Sequence, residues 1–474
     1  MERLGVRSLY LALGDWQSAP GGSLATRMAS ALREAIETSV LSSGTVLPAE
    51  RSMARDLGVS RSTVTAALQL LKADGYLEAR HGSGTIVTAG MVPGSEPRRD
   101  RSVIDLAESS PGDARALPVV GIDLEALLRS GSASGYTPAG LPSLRRSVAD
   151  RFTADGLPTD PSQIVITNGA QHALALCFAQ FAEPGDCVLL DEPTYPGLID
   201  LLEARGLVPI AVPRHSGAID GGLLRTLAES SGATLAYLQT LVHNPTGLTG
   251  DDDALDRLAD SIGDLSLTVV EDVVLADLRF DHRRPSPLAA RMMGSSAAGT
   301  AAQVIVVGSV SKLGWGGLRI GWLRADVEQV DQMLRSRRAD DLGSSIPSQV
   351  ISTAVLAEFS VLAESRQRTL SRRAALACQF LETSFPTWRF TPPNGGLSIW
   401  VELPSSHAAG AVVEAAAAAG VLIATGASSS VTTSGAQHIR ICFDRPEPQL
   451  REGLQRLARA VDQMTDRWST VNPS

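Results

Sequence analysis

Short apolar runs and apolar residues at helical spacing alternate along most of this chain. Runs that are rich in Val, Ile and Leu and bounded by turn residues predict strands buried in a sheet. The predicted strands are Ile164–Thr167, Cys187–Asp191, Val208–Val212, Thr234–Leu238, Leu267–Glu271, Val304–Val307, Trp388–Thr391, Ser398–Glu402 and Ile439–Phe443. Helical patterns separate these runs, and a last helix is predicted from about Pro448. This alternation is typical of an α/β protein with a mostly parallel sheet.

The N-terminal part of the chain follows a different pattern. Apolar residues at helical spacing predict helices over Ser23–Ser39, Pro48–Leu57 and Ser60–Ala73, and serines cap the first and third. Short strands are predicted over Tyr76–Ala79 and Thr85–Thr88. The last two helices form a predicted helix-turn-helix, a pattern that any helical hairpin can imitate, and the strand pair behind it predicts a wing.

The whole segment from Ser23 to Thr88 resembles the GntR-type winged helix, an α+β DNA-binding domain. In a helix-turn-helix the N-terminal part of the second helix meets base edges, and neighbouring residues reach phosphates. The candidate contacts to a double-stranded DNA operator are Arg51, Arg61, Ser62, Thr65, Arg80 and Gly82. The same arginines would also fit an ordinary solvated surface.

Composition narrows the possibilities. With 474 residues, 44% of them apolar and 20% charged, the chain is expected to be a soluble globular protein of two or three domains. The net charge is −9, but residues 1–90 carry about +1 and the remainder about −10, so DNA would be bound by a local patch. Residues 90–103 are rich in Pro, Gly and charge and are predicted to link a domain at 20–89 to one at 104–474.

Metal, targeting and membrane signals are weak. The four cysteines have no metal-ligand spacing and lie mostly in apolar runs, which predicts buried free thiols, a reducing compartment and no metal site. The N-terminal stretch lacks the apolar core of a signal peptide. The most apolar later stretch, Ala411–Ala427, contains Glu414 and is too short to span a bilayer. We therefore expect a cytoplasmic protein that does not contact membranes.

Candidate chemistry centres on Val304–Gly321, where a short apolar strand ends in Ser-Val-Ser-Lys and a glycine-rich turn. The chain has only two lysines, Lys72 and Lys312, against 40 arginines. A lysine amine can lose its proton and form a Schiff base with an aldehyde, whereas a guanidinium cannot. A surface lysine at a strand end would fit the spacing equally well. The motif S-x-S-K followed by G-L-R-I-G resembles the cofactor-lysine segment of fold-type I pyridoxal 5'-phosphate (PLP) enzymes, the aspartate aminotransferase superfamily.

The resemblance implies the other parts of a PLP site. Lys312 would be the catalytic lysine that holds PLP as a Schiff base, and Arg440 would bind the carboxylate of a substrate or effector. The remaining residues that the resemblance assigns to the cofactor are Tyr136, Gly169, Ala170, Gln171, Tyr195, Asn244, Asp272, Ser309 and Arg319. Thr167–Gln171 opens a helix after a strand and suits a phosphate, and Asp272 suits a protonated pyridine nitrogen. Tyr136 would reach the partner subunit's phosphate, which implies a homodimer.

Each of these residues alone has an ordinary structural explanation, and their joint order along the chain carries the resemblance. One departure concerns turnover. Relatives fused to a GntR domain have Glu-Asp-Asp-Tyr at the strand that ends in Asp272, and the tyrosine hydroxyl bonds the phenolic oxygen of the cofactor. Here Val273, Val274 and Leu275 follow Asp272. The loss of one hydrogen bond, roughly 0.5–1.5 kcal/mol, predicts slow or absent transamination.

The combination of domains resembles the MocR/GabR class of bacterial transcriptional regulators, over nearly the whole chain from Ser23. The implied fold is a winged helix-turn-helix followed by an α/β fold-type I aminotransferase-like domain, with a large, mostly parallel sheet and a smaller C-terminal domain. The implied function is PLP-dependent control of transcription in response to an amino compound or PLP itself, for example in PLP biosynthesis or amino-acid use. Two alternatives stay open: an aminotransferase with a vestigial or secondary DNA-binding domain, and a DNA-binding protein that uses the aminotransferase fold only to dimerise.

Overall fold

A computed structural model describes residues 13, 16, 23–37, 41, 45–73, 76–80, 84–87, 103–109, 135–215, 217–284, 286–294 and 302–471. Contacts between Cα atoms divide the chain into two compact units, Met1–Ser102 and Val103–Ser474. Each unit has its own hydrophobic core.

The described part of the first unit is a helix-turn-helix with a strand hairpin. Its elements are α1 (Leu24–Glu37), α2 (Glu50–Asp56), α3 (Arg61–Ala73), β1 (Leu77–Arg80) and β2 (Gly84–Val87). The predicted caps are confirmed, because Ser23 Oγ accepts from the Thr26 N–H at 3.2 Å and Ser60 Oγ from the Thr63 N–H at 3.1 Å. Helix α2 begins later than predicted because the backbone of Ala49, directly before it, is extended with ψ 140°.

The second unit is built on a mixed sheet. In chain order its first elements are β3 (Ile104–Asp105), α4 (Pro142–Ala154), β4 (Ile164–Thr167), α5 (Ala170–Phe181), β5 (Cys187–Glu192), α6 (Pro196–Arg205), β6 (Val208–His215), β7 (Ala218–Ile219), α7 (Gly221–Ser231), β8 (Leu235–Leu238), α8 (Asp252–Ile262), β9 (Thr268–Asp272), α9 (Leu288–Gly294), β10 (Gln303–Ser309) and β11 (Gly321–Arg324). Among the described residues the strand order is β4-β11-β10-β9-β8-β5-β6-β7. The mostly parallel sheet is confirmed, with β7 and β11 running antiparallel to their neighbours.

Successive side chains of the central strands point to opposite faces of the sheet, which explains why both faces are covered. On β5, Val188 and Leu190 pack into one apolar cluster with α5 and α6, while Leu189 packs into another with α7 and α8. Successive side chains of a strand point to opposite faces, so a continuous apolar run is buried on both sides.

Helices α10 (Val327–Arg337) and α11 (Ile346–Ala357) pack into the apolar clusters of the large sheet, and the rest of the chain forms a smaller layer. The elements of this layer are α12 (Phe359–Ser384), β12 (Arg389–Phe390), β13 (Ser398–Glu402), α13 (Ala409–Ala418), β14 (Val421–Leu422), β15 (Ala424–Thr425), β16 (His438–Cys442) and α14 (Glu447–Val471). Strands β12, β13, β16 and β15 form an antiparallel sheet, and β3 pairs with β14 in parallel. Residues Val103–Ser109, named here the strap, thus belong to this smaller layer, where Leu106 is fully buried.

All four cysteines are free thiols. Three of the cysteines are buried as predicted and Cys187 is half-buried, and burial raises the pKa of Cys177 to about 12. Within the described ranges no single helix is long and apolar enough to cross a membrane, although α11 and α12, bent by 76° at their junction, meet that criterion as a pair. The same ranges contain no cluster of three His, Cys, Asp or Glu side chains suited to a metal.

Candidate cofactor site and DNA-reading helix

The predicted cofactor residues converge on one edge of the large sheet. Strands β4, β9 and β10 run in the same direction and end there in Thr167, Asp272 and Ser309. Strand β11 runs the opposite way, so Arg319, just before it, reaches the same edge. A cavity of about 460 Å³ opens at this edge. The predicted residues that line it are Gly169, Ala170, Gln171, Tyr195, Asn244, Asp272, Ser309, Lys312, Arg319 and Arg440.

One end of the cavity is suited to a dianion. Helix α5 begins there, and no side chain of the described residues caps its N-terminus at Gly169. The Arg319 guanidinium lies against Gly169, where an added Cβ would be 3.0 Å from Arg319 Nη2. Ser309 Oγ donates to the Ile320 carbonyl at 2.8 Å and accepts from the Ser311 N–H at 3.1 Å. A helix N-terminus and a guanidinium at one place favour a phosphate.

Two glycines permit this close packing. Gly169 has φ +82°, a conformation that side chains rarely adopt. At Gly321 an added Cβ would be 2.5 Å from the Gly169 carbonyl carbon, so β11 could not approach the start of α5 if another residue replaced the glycine.

The centre of the cavity carries a buried carboxylate and an aromatic ring. Asp272 accepts hydrogen bonds from the Tyr237 hydroxyl at 2.7 Å and the Val274 N–H at 2.8 Å. Burial raises the pKa of Asp272, and these two bonds oppose the rise because they favour the ionised form. Tyr195 precedes the first residue of α6 and is half-buried, and burial raises its pKa.

Lys312 lies in the wall of the cavity beside the strap. Its Nζ donates to the Ser109 carbonyl at 2.5 Å. Burial lowers the pKa of Lys312, which favours the uncharged amine that attacks an aldehyde.

Arg440 enters the cavity from β16 of the smaller layer. Its Nη2 donates to the Ala107 carbonyl of the strap at 2.8 Å. Its Nε is buried and has no hydrogen-bond partner within the described residues. An unpaired buried donor is costly, so this guanidinium suits a ligand oxygen such as that of a carboxylate.

Tyr136 is the predicted cofactor residue that this cavity does not include. Its side chain is 57% exposed on its own chain. Its assignment to the phosphate of a neighbouring subunit stays a prediction.

The predicted DNA contacts lie mainly on α2 and α3. Arg61 opens α3 with a side chain 60% exposed, and Arg51 and Ser62 are also exposed. Thr65 donates from its hydroxyl to Glu50 Oε2 at 2.9 Å, and Arg61 Nε lies 3.9 Å from the same oxygen. Glu50 therefore ties the two helices together beneath the predicted reading surface.

The wing gives less information. Arg80 ends β1, but its side chain lies outside the described residues, as does all of Gly82. Both assignments stay predictions.

Several cavity residues were not found from the sequence. Glu108 and Ser109 of the strap line the cavity, whereas Val274 and Leu275, which line it as well, are the positions that the sequence analysis had already singled out. Gln239 also lines it, directly after β8. The position of Gln239 behind a parallel strand, at the same edge as Asp272, is a signal that could have pointed to it.

These residues together fit PLP. The α5 N-terminus and Arg319 suit the phosphate, Asp272 suits the pyridine nitrogen, and Lys312 suits the aldehyde. The buried Arg440 Nε leaves a donor for a carboxylate beside them.

Comparisons with known proteins agree with this geometry. The family model Aminotransferase class I and II matches residues 101–457, and the model Bacterial regulatory proteins, gntR family, matches residues 24–87. The uncharacterized HTH-type transcriptional regulator YdfD of Bacillus subtilis is 26% identical and covers 90% of this chain and 93% of its own. The uncharacterized HTH-type transcriptional regulator YdcR of Escherichia coli is 28% identical, with 84% and 90% covered.

A solved structure extends the likeness to the fold. The α-aminoadipate aminotransferase LysN of Thermus thermophilus, complexed with N-(5'-phosphopyridoxyl)-L-leucine, superposes with a TM-score of 0.68 at 26% identity. The match covers 77% of this chain and 94% of that one.

Proposed function

The chain belongs to the aminotransferase class I and II family, whose fold-type I members bind PLP, and carries a gntR-family DNA-binding domain, and we propose that ligand binding in the PLP site controls its affinity for DNA. The ligand is an amino compound or PLP itself, and the protein acts on an operator in the cytoplasm. The observation that supports this most is the joint presence of Lys312, Asp272, Arg319 and Arg440 around one cavity in a chain that also carries a winged helix.

The start of α5 and four side chains of the cavity would bind the cofactor and an effector. The start of α5 and Arg319 hold the phosphate and so fix the position of the cofactor. Bound PLP supplies an aldehyde that condenses with amines and a ring that withdraws electrons. Asp272 would keep a proton at the pyridine nitrogen, and Lys312 would supply the amine that attaches the aldehyde. Arg440 orients the carboxylate of such an effector.

An aminotransferase is the second candidate, favoured by the likeness to LysN and by the retained Lys312, Asp272 and Arg440. Transaminase turnover needs more than ligand binding, because a group of this chain must also move a proton of the bound amino compound. Val274 and Leu275 offer no hydroxyl to the cavity at the point where relatives have a tyrosine. Binding without efficient turnover is therefore the behaviour we expect.

A panel of amino compounds distinguishes the two functions. We expect a compound that changes the visible absorbance of the PLP-loaded protein to change its affinity for operator DNA as well. We also expect no sustained keto-acid production with that compound and an added acceptor, because the hydroxyl is missing beside Val274. Absorbance, fluorescence anisotropy with labelled DNA and product assay are measured on one sample.

Leu275→Tyr and Val274→Tyr are the matched variants, since each places a tyrosine hydroxyl near the position where one is expected. Either variant should gain transaminase turnover. Steady multiple turnover by the wild-type chain with a natural amino donor would favour the enzyme instead. DNA affinity that ignores PLP and every amino compound would reject the proposed control.

Tyr136 tests the proposed homodimer. We expect Tyr136→Phe to weaken PLP binding about tenfold or more, as for a lost hydrogen bond to a charged group. In a mixed dimer of Tyr136→Phe and Lys312→Arg chains, the site with the intact lysine faces an intact tyrosine of the other chain. Its PLP affinity should therefore return to the wild-type value, measured by visible absorbance.

Sedimentation gives the oligomeric state of the same samples. Continued weak binding in the mixed dimer, or a wild-type monomer with full PLP occupancy, would contradict a shared site.

A further inference from the structure

A buried tyrosine lies behind the cavity carboxylate. Tyr237 is on β8, next to β9, and its side chain is fully buried. It is not among the residues that line the cavity, yet its hydroxyl donates to Asp272 Oδ2 at 2.7 Å. Tyr237 can therefore act on a ligand only through the residues that it contacts, among them Asp272.

Gln239 fixes the direction of that hydrogen bond. Its Nε2 donates to the Tyr237 oxygen at 2.6 Å, and its Oε1 accepts from the Asn244 N–H at 2.6 Å. The orientation of the amide follows from these two partners, because the backbone N–H can only donate. Since the Tyr237 oxygen receives a hydrogen from Gln239, its own hydrogen is directed to Asp272.

The same glutamine is anchored from behind. Its backbone N–H donates to Asp191 Oδ2 at 2.6 Å, and Asp191 is paired with Arg214 at 3.1 Å in the interior. Gln239 thus connects a fixed ion pair to two residues that face the cofactor, Asp272 through Tyr237 and Asn244 through its main chain. A chain of buried hydrogen bonds of this kind holds its members in a single arrangement.

The hydrogen bond from Tyr237 influences whether Asp272 is ionised. Each of its carboxylate oxygens receives one hydrogen bond, from Tyr237 or from the Val274 N–H. Burial raises the pKa of Asp272 and the Tyr237 bond opposes that rise. A carboxylate must stay ionised in order to hold a protonated pyridine nitrogen.

We propose, on the premise that the cavity binds PLP, that Tyr237 and Gln239 are positioning residues for the cofactor. Gln239 directs the Tyr237 hydroxyl, the hydroxyl keeps Asp272 ionised and correctly oriented, and the same amide holds the backbone at Asn244.

Tyr237→Phe tests this assignment by removing one hydroxyl group. We expect a loss of PLP affinity, because Asp272 without this bond is less readily ionised and holds a protonated pyridine nitrogen less well. The pH at which the visible absorbance of bound PLP changes should also move upward. Without the hydroxyl, Asp272 takes up a proton at higher pH, the ring nitrogen loses its positive charge, and the neighbouring nitrogen at Lys312 then keeps its proton to higher pH.

Thr240→Val is the matched control. The Thr240 hydroxyl donates to the Glu271 carboxylate, so this variant also deletes a buried hydroxyl–carboxylate bond next to Asp272. It should lower the thermal unfolding temperature without changing PLP affinity or the pH profile. Gln239→Leu should move the pH profile in the same direction as Tyr237→Phe, and the double variant should move it little further than either single one, because both act on the charge of Asp272 through one connection.

The outcomes separate this inference from the proposed function. A wild-type chain that takes up no PLP overturns both. A yellow wild type together with an unchanged affinity and pH profile in Tyr237→Phe overturns the positioning role alone. If Tyr237→Phe does not fold, the pH profile of Gln239→Leu decides, since this variant leaves the phenol in place, and an unchanged profile overturns the positioning role.

Discussion

Lys312→Arg abolishes the covalent attachment of PLP and the visible absorbance that accompanies it. The variant keeps the positive charge but replaces the amine by a guanidinium, which stays protonated and does not condense with an aldehyde. After reduction with borohydride, mass spectrometry should find the label on the peptide that contains Lys312 in the wild type and on no peptide in the variant. The start of α5 and Arg319, which suit the phosphate, are unchanged in this variant. PLP should therefore still bind in the cavity without a covalent bond.

The chain provides its own control, because Lys72 is the other lysine. Lys72→Arg carries the identical chemical change in α3 of the DNA-binding unit and should leave absorbance and label as in the wild type. A label on Lys72, or full colour in Lys312→Arg, would show that the cavity lysine is not the attachment point.

Arg61→Ala reduces operator affinity by about 1–3 kcal/mol if the side chain reads a base edge. Arg61 is the first residue of α3 and is well exposed, so its truncation leaves no buried group unpaired. The loss should be smaller on unrelated DNA, and operator discrimination should fall. Anisotropy titrations with operator and scrambled duplexes at two salt concentrations measure both effects.

Arg51→Ala and Arg55→Ala give the matched comparison, since both remove an exposed arginine of α2. Arg51 is expected to contact phosphate, so its loss should weaken all sequences alike and reduce the salt dependence. Arg55 was not assigned to DNA and should change little. PLP absorbance should be unaffected in all three variants, and equal DNA affinity for Arg61→Ala and the wild type would reject the assignment of α3 as the reading helix.

The central strands could be predicted because their apolar runs are buried on both faces. Ile164–Thr167 and Ser398–Glu402 have the predicted bounds, and the others differ by a few residues at their ends. Strand β11 was missed because its sequence, Gly-Trp-Leu-Arg, contains a glycine and an arginine and lacks an apolar run. Strands β3 and β14 were missed because two residues each are too short to give a period.

Ten residues that line the cavity were named from the sequence, but their supporting contacts were not. Lys312, Asp272 and Arg319 follow motifs that can be read along the chain. Tyr237 and Gln239 were not found, because the sequence does not show which strand neighbours β9 or which side chain points toward Asp272. The contact of Lys312 with Ser109 joins residues 203 positions apart, and no local pattern predicts it.

The strap makes the junction between the two units a poor place to exchange domains. Its Leu106 is buried in the core of the smaller layer, worth roughly 1.5–3 kcal/mol. Its carbonyls accept from Arg440 at 2.8 Å and, at Asp105, from Arg445 Nε at 2.8 Å. A chimaera that replaces everything before Pro111 with another regulator's N-terminal half would lose the Leu106 side chain that anchors these carbonyls in the smaller layer. When the two halves of such proteins are exchanged, the crossover point must therefore lie before Val103, so that the strap stays with the cavity that it borders.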